Sequence, residues 1–255
     1  KKECGADVSN QCEPLPFDEN NKASSITDTK SLFWKTPEIA QTVETYVTVV
    51  KGPEYFWCQM ADPEIINYLE KKLQETGELE ISSVDEFRSS IRSGDICIAK
   101  YSEDGKFYRA KVSSIKDNNL TVRHVDYGSE ELVGREMIRQ IPDQLLTIPM
   151  QAFPCCLSGF NSPEGSWSNE AEDKFYDMTA DYVLAVTVLE IQKDNSSEIP
   201  LSAVKVECNE KNINEEMKCF WKYNTDTGTP RACLQEVHQS RRTGKWQGTP
   251  RVAKF

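Results

Sequence analysis

Short apolar stretches with a period of two fill the middle of this chain, and stretches with a helical period separate them. The run Thr45-Tyr46-Val47-Thr48-Val49-Val50 is β-branched and aromatic, which predicts a strand. Lys51-Gly52-Pro53 predicts a turn, and Tyr55 to Met60 the returning strand of a hairpin. Asp62-Pro63 then reads as a helix start, with Asp as N-cap and Pro in the first turn. Ile65, Leu69 and Leu73, with Ile66 beside them, form an apolar stripe down to a stop near Gly77. Residues 78–93 read as a connection with a few apolar positions.

Four short strands follow, over 95–101, 107–115, 120–125 and 131–133, with turns at Ser102-Glu103-Asp104-Gly105 and Lys116-Asp117-Asn118-Asn119. Short antiparallel strands joined by tight turns predict a small barrel. A helical turn after Ile141-Pro142 leads into an extended apolar run that ends at Leu157. Further on, the pattern predicts a helix over 169–180 with Ala171, Phe175 and Met178 on one face, and strands over 182–191 and 199–208 around a turn at 194–198. A last helix is predicted over 212–223 from the spacing of Ile213, Met217, Phe220 and Trp221. Neither the 45–60 strands nor the 155–208 strands suffice for a sheet alone. Together they make one five-stranded barrel, with the 94–150 barrel inserted between them and the first helix as a bridge.

The chain ends differ from this middle. Residues 1–41 are polar and acidic, a linker composition apart from the apolar spot Leu32-Phe33-Trp34, which is positioned to dock on the domain. Residues 225–255 turn basic through Arg231, Arg241, Arg242, Lys245, Arg251 and Lys254 and lose their pattern, which predicts a flexible tail open to RNA or an acidic surface. No run reaches the ~18 apolar residues of a membrane span, and Lys1-Lys2 leads into no apolar stretch, so neither a membrane partner nor a signal peptide is expected. The net charge of -11 disfavours non-specific nucleic-acid binding and favours a basic partner. Nine cysteines without CxxC spacing, and only two histidines, suggest free thiols in a reducing compartment, with no metal site and no cofactor.

The candidate chemistry is aromatic. Tyr101 ends one strand and Tyr108 begins the next, so both flank one turn. The strand after Tyr108 runs away from that rim, and the following antiparallel strand brings His124 and Tyr127 back to it. Leu120 and Val122 point inward, so His124 shares their face at the mouth. Rings gathered at one mouth can clasp a cation, each face contributing ~0.5–2 kcal/mol. The same tyrosines also suit plain rim packing, and His124 a satisfied surface histidine. Asp126 fits a turn-ordering role, Arg109 a local carboxylate partner, Gly128 a positive φ, and Phe107 an interface or core position on the face opposite Tyr108.

Trp57 in Phe56-Trp57-Cys58-Gln59, Ala99-Lys100-Tyr101, Phe107-Tyr108-Arg109-Ala110, Val125-Asp126-Tyr127-Gly128 and Ile148-Pro149-Met150-Gln151-Ala152 together carry a family resemblance. The chain resembles an extended Tudor domain over about residues 42–223, the module of Tudor-domain germline scaffold proteins. The resemblance implies a mainly β, α+β fold: an SH3-like Tudor barrel (77–150) inserted into a staphylococcal-nuclease-like OB-fold (42–76 with the bridging helix, and 151–224). It further implies a non-catalytic reader of symmetric dimethylarginine in Arg-Gly-rich tails of Piwi-type proteins. A peptide would lie in the groove between the barrels, and the module would join other scaffold proteins in cytoplasmic germ granules of the piRNA pathway and spermatogenesis. The cage would be Tyr101, Tyr108, His124, Tyr127 and Ser129.

Two of those positions depart from the family, which usually has an aromatic where His124 stands and an asparagine where Ser129 stands. A scaffold module with a degraded cage is therefore the alternative. His124 would also repel a cation once protonated, so binding would weaken as pH falls from 8 to 5.5. The nuclease resemblance raises calcium-dependent phosphodiester hydrolysis, but the 45–60 and 180–208 strands lack a compact Asp, Glu and Arg set. No Ser-His-Asp order or phosphate-binding glycine loop occurs, and no catalytic residue is expected.

Overall fold

The computed structural model describes residues 32–79, 84–193 and 199–224. Strand β1 (Thr42–Val50) pairs antiparallel with β2 (Phe56–Met60), giving the hairpin read from the sequence. Helix α1 (Pro63–Gly77) begins as expected: the Asp62 carboxylate accepts the Ile65 N–H at 3.1 Å, and Pro occupies the first turn, where no N–H is missed. Ile66, Leu69 and Leu73 form its buried face.

The 78–93 connection contains a second helix, α2 (Val84–Ser90), which the serine-rich sequence concealed. Phe87 and Ile91, inside and just after it, cover the small barrel's core. That barrel comprises β3 (Ile96–Lys100), β4 (Phe107–Lys116), β5 (Asn119–His124), β6 (Glu130–Gly134) and β7 (Ile138–Arg139), in the order β6-β5-β4-β3-β7. Two-residue β7 follows a single 3-10 turn and was not legible from alternation. Ala110, Val112, Leu120, Val122 and Ile138 fill the interior.

After α3 (Asp143–Leu146) the chain re-enters the first barrel as β8 (Ala152–Leu157). Strand β9 (Gly165–Trp167) and helix α4 (Ala171–Thr179) precede β10 (Leu184–Gln192) and β11 (Leu201–Cys208). Strands β10, β1, β2, β8 and β11 follow in that order, and β10 pairs with β11 to close the circle. The β8–β11 pairing is parallel, and the others are antiparallel. Two-residue β12 (Lys211–Asn212) extends β11. Phe56, Phe153, Phe175, Val186 and Val204 form the core of this larger barrel.

The helix expected over 212–223 is corrected. Helix α5 covers only Ile213–Met217, a 3-10 turn follows, and β13 (Trp221–Tyr223) pairs with β9. The reason is tertiary. Trp221 packs against Trp167 at 5.0 Å and Phe160 at 5.4 Å, and those contacts outweigh continued helix. The expected turn at 194–198, residues 1–31 of the expected linker and the expected tail over 225–255 lie outside the described residues. The apolar spot itself docks: Leu32 is buried with Val125 and Met150, and Phe33 accepts the Met150 N–H at 3.1 Å.

The two barrels meet along α1 and the outer face of β4. Leu69 and Leu73 pack with Phe107, Ile98 and Leu145, so of the two roles open to Phe107 the structure selects the interface. Gln74 holds both the Phe107 N–H and its carbonyl, each at 2.9 Å. Beside this apolar contact, Arg109 is wholly buried and all five of its N–H groups are used. It forks onto Asp126 at 2.8 and 2.6 Å and donates to the carbonyls of Leu145, Ile148 and Pro149 at 2.7, 2.7 and 2.8 Å. Asp126 also accepts the Gln151 N–H at 3.0 Å. Removing one partner leaves a buried charge unpaired. Asp126→Ala should therefore lose roughly 3–5 kcal/mol, read from the urea midpoint; an unchanged midpoint would deny the pair its role.

Candidate functional site

The site is built where β4 and β5 return to one rim of the small barrel. Alternation along β4 sends Tyr108 to the rim and its neighbour Arg109 to the opposite, docking face. Strand β5 ends at His124, and the turn 125–129 delivers Tyr127 and Ser129. That turn is tight: His124 accepts the Tyr127 and Gly128 N–H groups at 3.1 and 2.7 Å, and the Ser129 carbonyl accepts the His124 N–H at 2.8 Å. Gly128 adopts φ +86°, and a Cβ there would lie 2.1 Å from the Trp57 ring. Both observations require glycine, the second because the larger barrel presses its Trp57 onto the turn. Gln59 donates to the Asp126 carbonyl and Thr48 to the Tyr127 carbonyl, each at 2.6 Å.

All five residues proposed from sequence come together. Tyr101 and Tyr108 stand 6.1 Å apart, Tyr101 and His124 5.3 Å, Tyr108 and His124 5.7 Å, and Tyr108 and Tyr127 5.2 Å. Interplanar angles of 68–86° make every one of these contacts edge-to-face. The tyrosines are 4–7% exposed and His124 is 1% exposed, so the rings cover one another. Ser129 is buried beneath them, with its hydroxyl 3.1 Å from His124 Nδ1.

Residues missed from sequence complete the rim. Asp104, in the β3–β4 turn, accepts the Tyr108 hydroxyl proton at 2.6 Å and fixes that ring. Glu131 accepts the Ser102 N–H at 3.1 Å. Glu70 reaches the rim from α1, 3.9 Å from Lys106. The turn sequence Ser102-Glu103-Asp104-Gly105 carried a signal, two acids between two tyrosines, but nothing in it showed that one would anchor a ring. Burial pushes all three tyrosine phenols up, Tyr108 further through its bond to Asp104. These groups therefore remain neutral phenols, and the field around the rings comes from the carboxylates. Such an arrangement suits a cation with apolar surface.

His124 is not the titrating wall expected from sequence. Burial lowers its pKa from 6.5 to about 4, against the smaller opposing pull of Asp104 and Asp126. The ring stays neutral from pH 8 to 5.5, and the expected loss of ligand affinity over that range does not follow. Stability carries the consequence instead. Between about 6.5 and about 4 the unfolded chain binds a proton that the folded chain refuses, so stability falls as pH drops through this window, by roughly 3 kcal/mol in full. His124→Phe should remove that part of the slope. Denaturant midpoints of both proteins at pH 7 and pH 4.5 check this, and parallel slopes would refute it.

Away from the rings, a concavity lies between β4, β5 and the residues Trp34 and Ile199. It is a cleft of about 330 Å³ lined in part by Lys111 and Arg123. Arg123 is held there by Glu130 at 2.6 Å and lies over the Trp57 ring at 5.5 Å. Its basic lining differs from the acidic rim around the tyrosines. Among the described residues, no group of three or more His, Cys, Asp or Glu side chains could hold a metal ion.

A five-stranded barrel with an aromatic rim, docked on a closed OB-type barrel, is the extended Tudor architecture. Residues 37–159 match the Tudor domain family model. The chain carries a Tudor domain and is homologous to Tudor domain-containing proteins 6 and 1. It is 43% identical over 208 residues to mouse Tudor domain-containing protein 6, covering 80% of this chain and 9% of that protein. It is 41% identical over 208 residues to a Tudor domain-containing 6-like protein of Xenopus laevis, covering 82% and 11%. The chain thus spans about a tenth of these relatives' length.

Among solved structures, the third extended Tudor domain of mouse TDRD1, in complex with a MILI peptide containing dimethylarginine 45, superposes with a TM-score of 0.63 at 22% identity. The match covers 76% of this chain and 99% of that one. A single-site alanine variant of the Drosophila melanogaster Papi extended Tudor domain, in complex with a Piwi N-terminal R10me2s peptide, gives a TM-score of 0.59 at 21% identity, covering 72% and 100%. These likenesses establish the shared fold.

Proposed function

We propose that this domain reads methylated arginine, and that Tyr101, Tyr108, His124 and Tyr127 receive the modified guanidinium. The observation that carries the reading is the convergence of these four rings, from three separate chain segments, inside a collar of carboxylates. Methylation keeps the guanidinium charge while replacing N–H groups with apolar surface, so it favours ring faces over a carboxylate fork. The Asp104, Glu70 and Glu131 carboxylates add an attractive field for that charge and for neighbouring basic residues. A basic peptide is better matched to this rim than to the cleft containing Lys111 and Arg123, so the flanking residues run across the β3–β4 turn and α1 side. TDRD1 and Papi, which share the fold, form complexes with methylarginine peptides, and this supports the class of ligand. By the same analogy the partners are Arg-Gly-rich tails of Piwi-type proteins, and the role is non-catalytic scaffolding in cytoplasmic germ granules of the piRNA pathway.

A second reading has one observation in its favour: the rings already cover one another. On that reading the cluster is rim packing in a scaffold module with no methylarginine affinity. Titration calorimetry separates the two, using matched Arg-Gly-rich peptides, unmodified and symmetrically dimethylated. The reader reading expects the methylated peptide to bind more tightly, and Tyr127→Ala to lose at least about tenfold while the chain stays folded. Equal affinities, or no binding to either peptide, would favour the packing reading.

A further inference from the structure

His124 combines two features that rim packing does not require. Its Nδ1 lies 3.1 Å from the Ser129 hydroxyl, whereas its Nε2 is buried without a hydrogen-bond partner among the described residues. The ring is 1% exposed and its edge-to-face neighbours are Tyr101 and Tyr108. A buried polar atom without a partner is costly, and a phenylalanine here would avoid that cost while filling the same place. The unpaired nitrogen is therefore poised for something that enters the cluster.

We infer that His124 is a specificity-determining residue of this cage: its Nε2 accepts one N–H of the incoming guanidinium, and the Ser129 hydroxyl accepts the Nδ1 proton that keeps Nε2 bare. The inference rests on the methylarginine reading above and deepens it. A guanidinium carries only donors, so a ring nitrogen can meet it only as an acceptor. A neutral imidazole has one N–H and one bare nitrogen, and the partner of the first decides which is which. Among the described residues, Ser129 is the side chain that meets Nδ1, and a hydroxyl can accept there. His124 then differs from an aromatic hydrocarbon wall in a definite way. It requires a methylated arginine that still bears an N–H facing it, so it discriminates by the pattern of methyl groups as well as by their presence.

The test uses the whole chain with uniform nitrogen-15 labelling. The chain has two histidines, and His238→Gln leaves the His124 ring as the one imidazole signal. With saturating symmetric dimethylarginine peptide, the His124 ring should show a protonated Nδ1 and an unprotonated, hydrogen-bonded Nε2. A bound state protonated at Nε2 would overturn the inference even though the peptide binds. Calorimetry supplies the second arm. His124→Phe keeps a ring wall and removes the acceptor, so affinity should fall about tenfold or more, the weight of a hydrogen bond to a charged group. Unchanged or tighter binding by His124→Phe would also overturn it. Ser129→Ala should weaken binding several-fold and mix the two ring tautomers, and full affinity with an unmixed tautomer would remove Ser129 from the device. Absence of binding by the unaltered chain would instead be the failure of the methylarginine reading itself.

Discussion

The Arg109–Asp126 pair is the constraint on which the rest of this structure depends. Burying a guanidinium and a carboxylate costs several kcal/mol per ion, and only complete hydrogen bonding offsets it. Here every Arg109 donor is met, by one carboxylate and three carbonyls of the 145–149 crossover. The pair therefore does three things at once. It closes the turn after β5, ties the small barrel to the chain that re-enters the larger one, and holds the two residues next to Tyr108 and Tyr127. Because adjacent residues on a strand face opposite ways, the same geometry that sends Arg109 into the junction sends Tyr108 to the rim. Docking and ring placement are two sides of one strand.

The rings carry a balance of similar terms. Each edge-to-face contact among them is worth ~0.5–1.5 kcal/mol, and a cation over a ring face gains a similar amount, up to ~2 kcal/mol when desolvated. A ligand thus exchanges ring–ring contacts for ring–cation contacts with little net gain from any single wall. Such a site depends on what lies around the walls: the carboxylates of Asp104, Glu70 and Glu131, and the His124 Nε2, which has no partner among the described residues. The neutral state of His124 belongs to the same balance, since a charged imidazole among three phenols would repel a cation brought to them.

Much of the fold was legible because its local signals agree with one another. Period-two runs bounded by turn residues became β1, β2, β4 and β5, and Asp62-Pro63 with its apolar stripe became α1. The errors fell where tertiary contacts overruled a local period. Ile213, Met217, Phe220 and Trp221 suit one helical face, yet Trp221 leaves the helix to join Trp167 and Phe160. Strand β7 is too short to show alternation, and α2 has too few apolar residues to show a stripe. At the site, Asp104 could be read as a turn acid but not as the anchor of Tyr108.

The sequence by itself determined which residues meet at the rim. Strand direction and alternation are local geometric facts, and they bring Tyr101, Tyr108, His124 and Tyr127 to one mouth whatever surrounds them. The tertiary structure alone decided the chemical state of what meets there. Desolvation is a property of everything packed around a group. It needed Ser129 beneath the imidazole and the covering Tyr101 and Tyr108 rings to lower the His124 pKa from 6.5 to about 4. No spacing in a chain records how much water its fold will exclude.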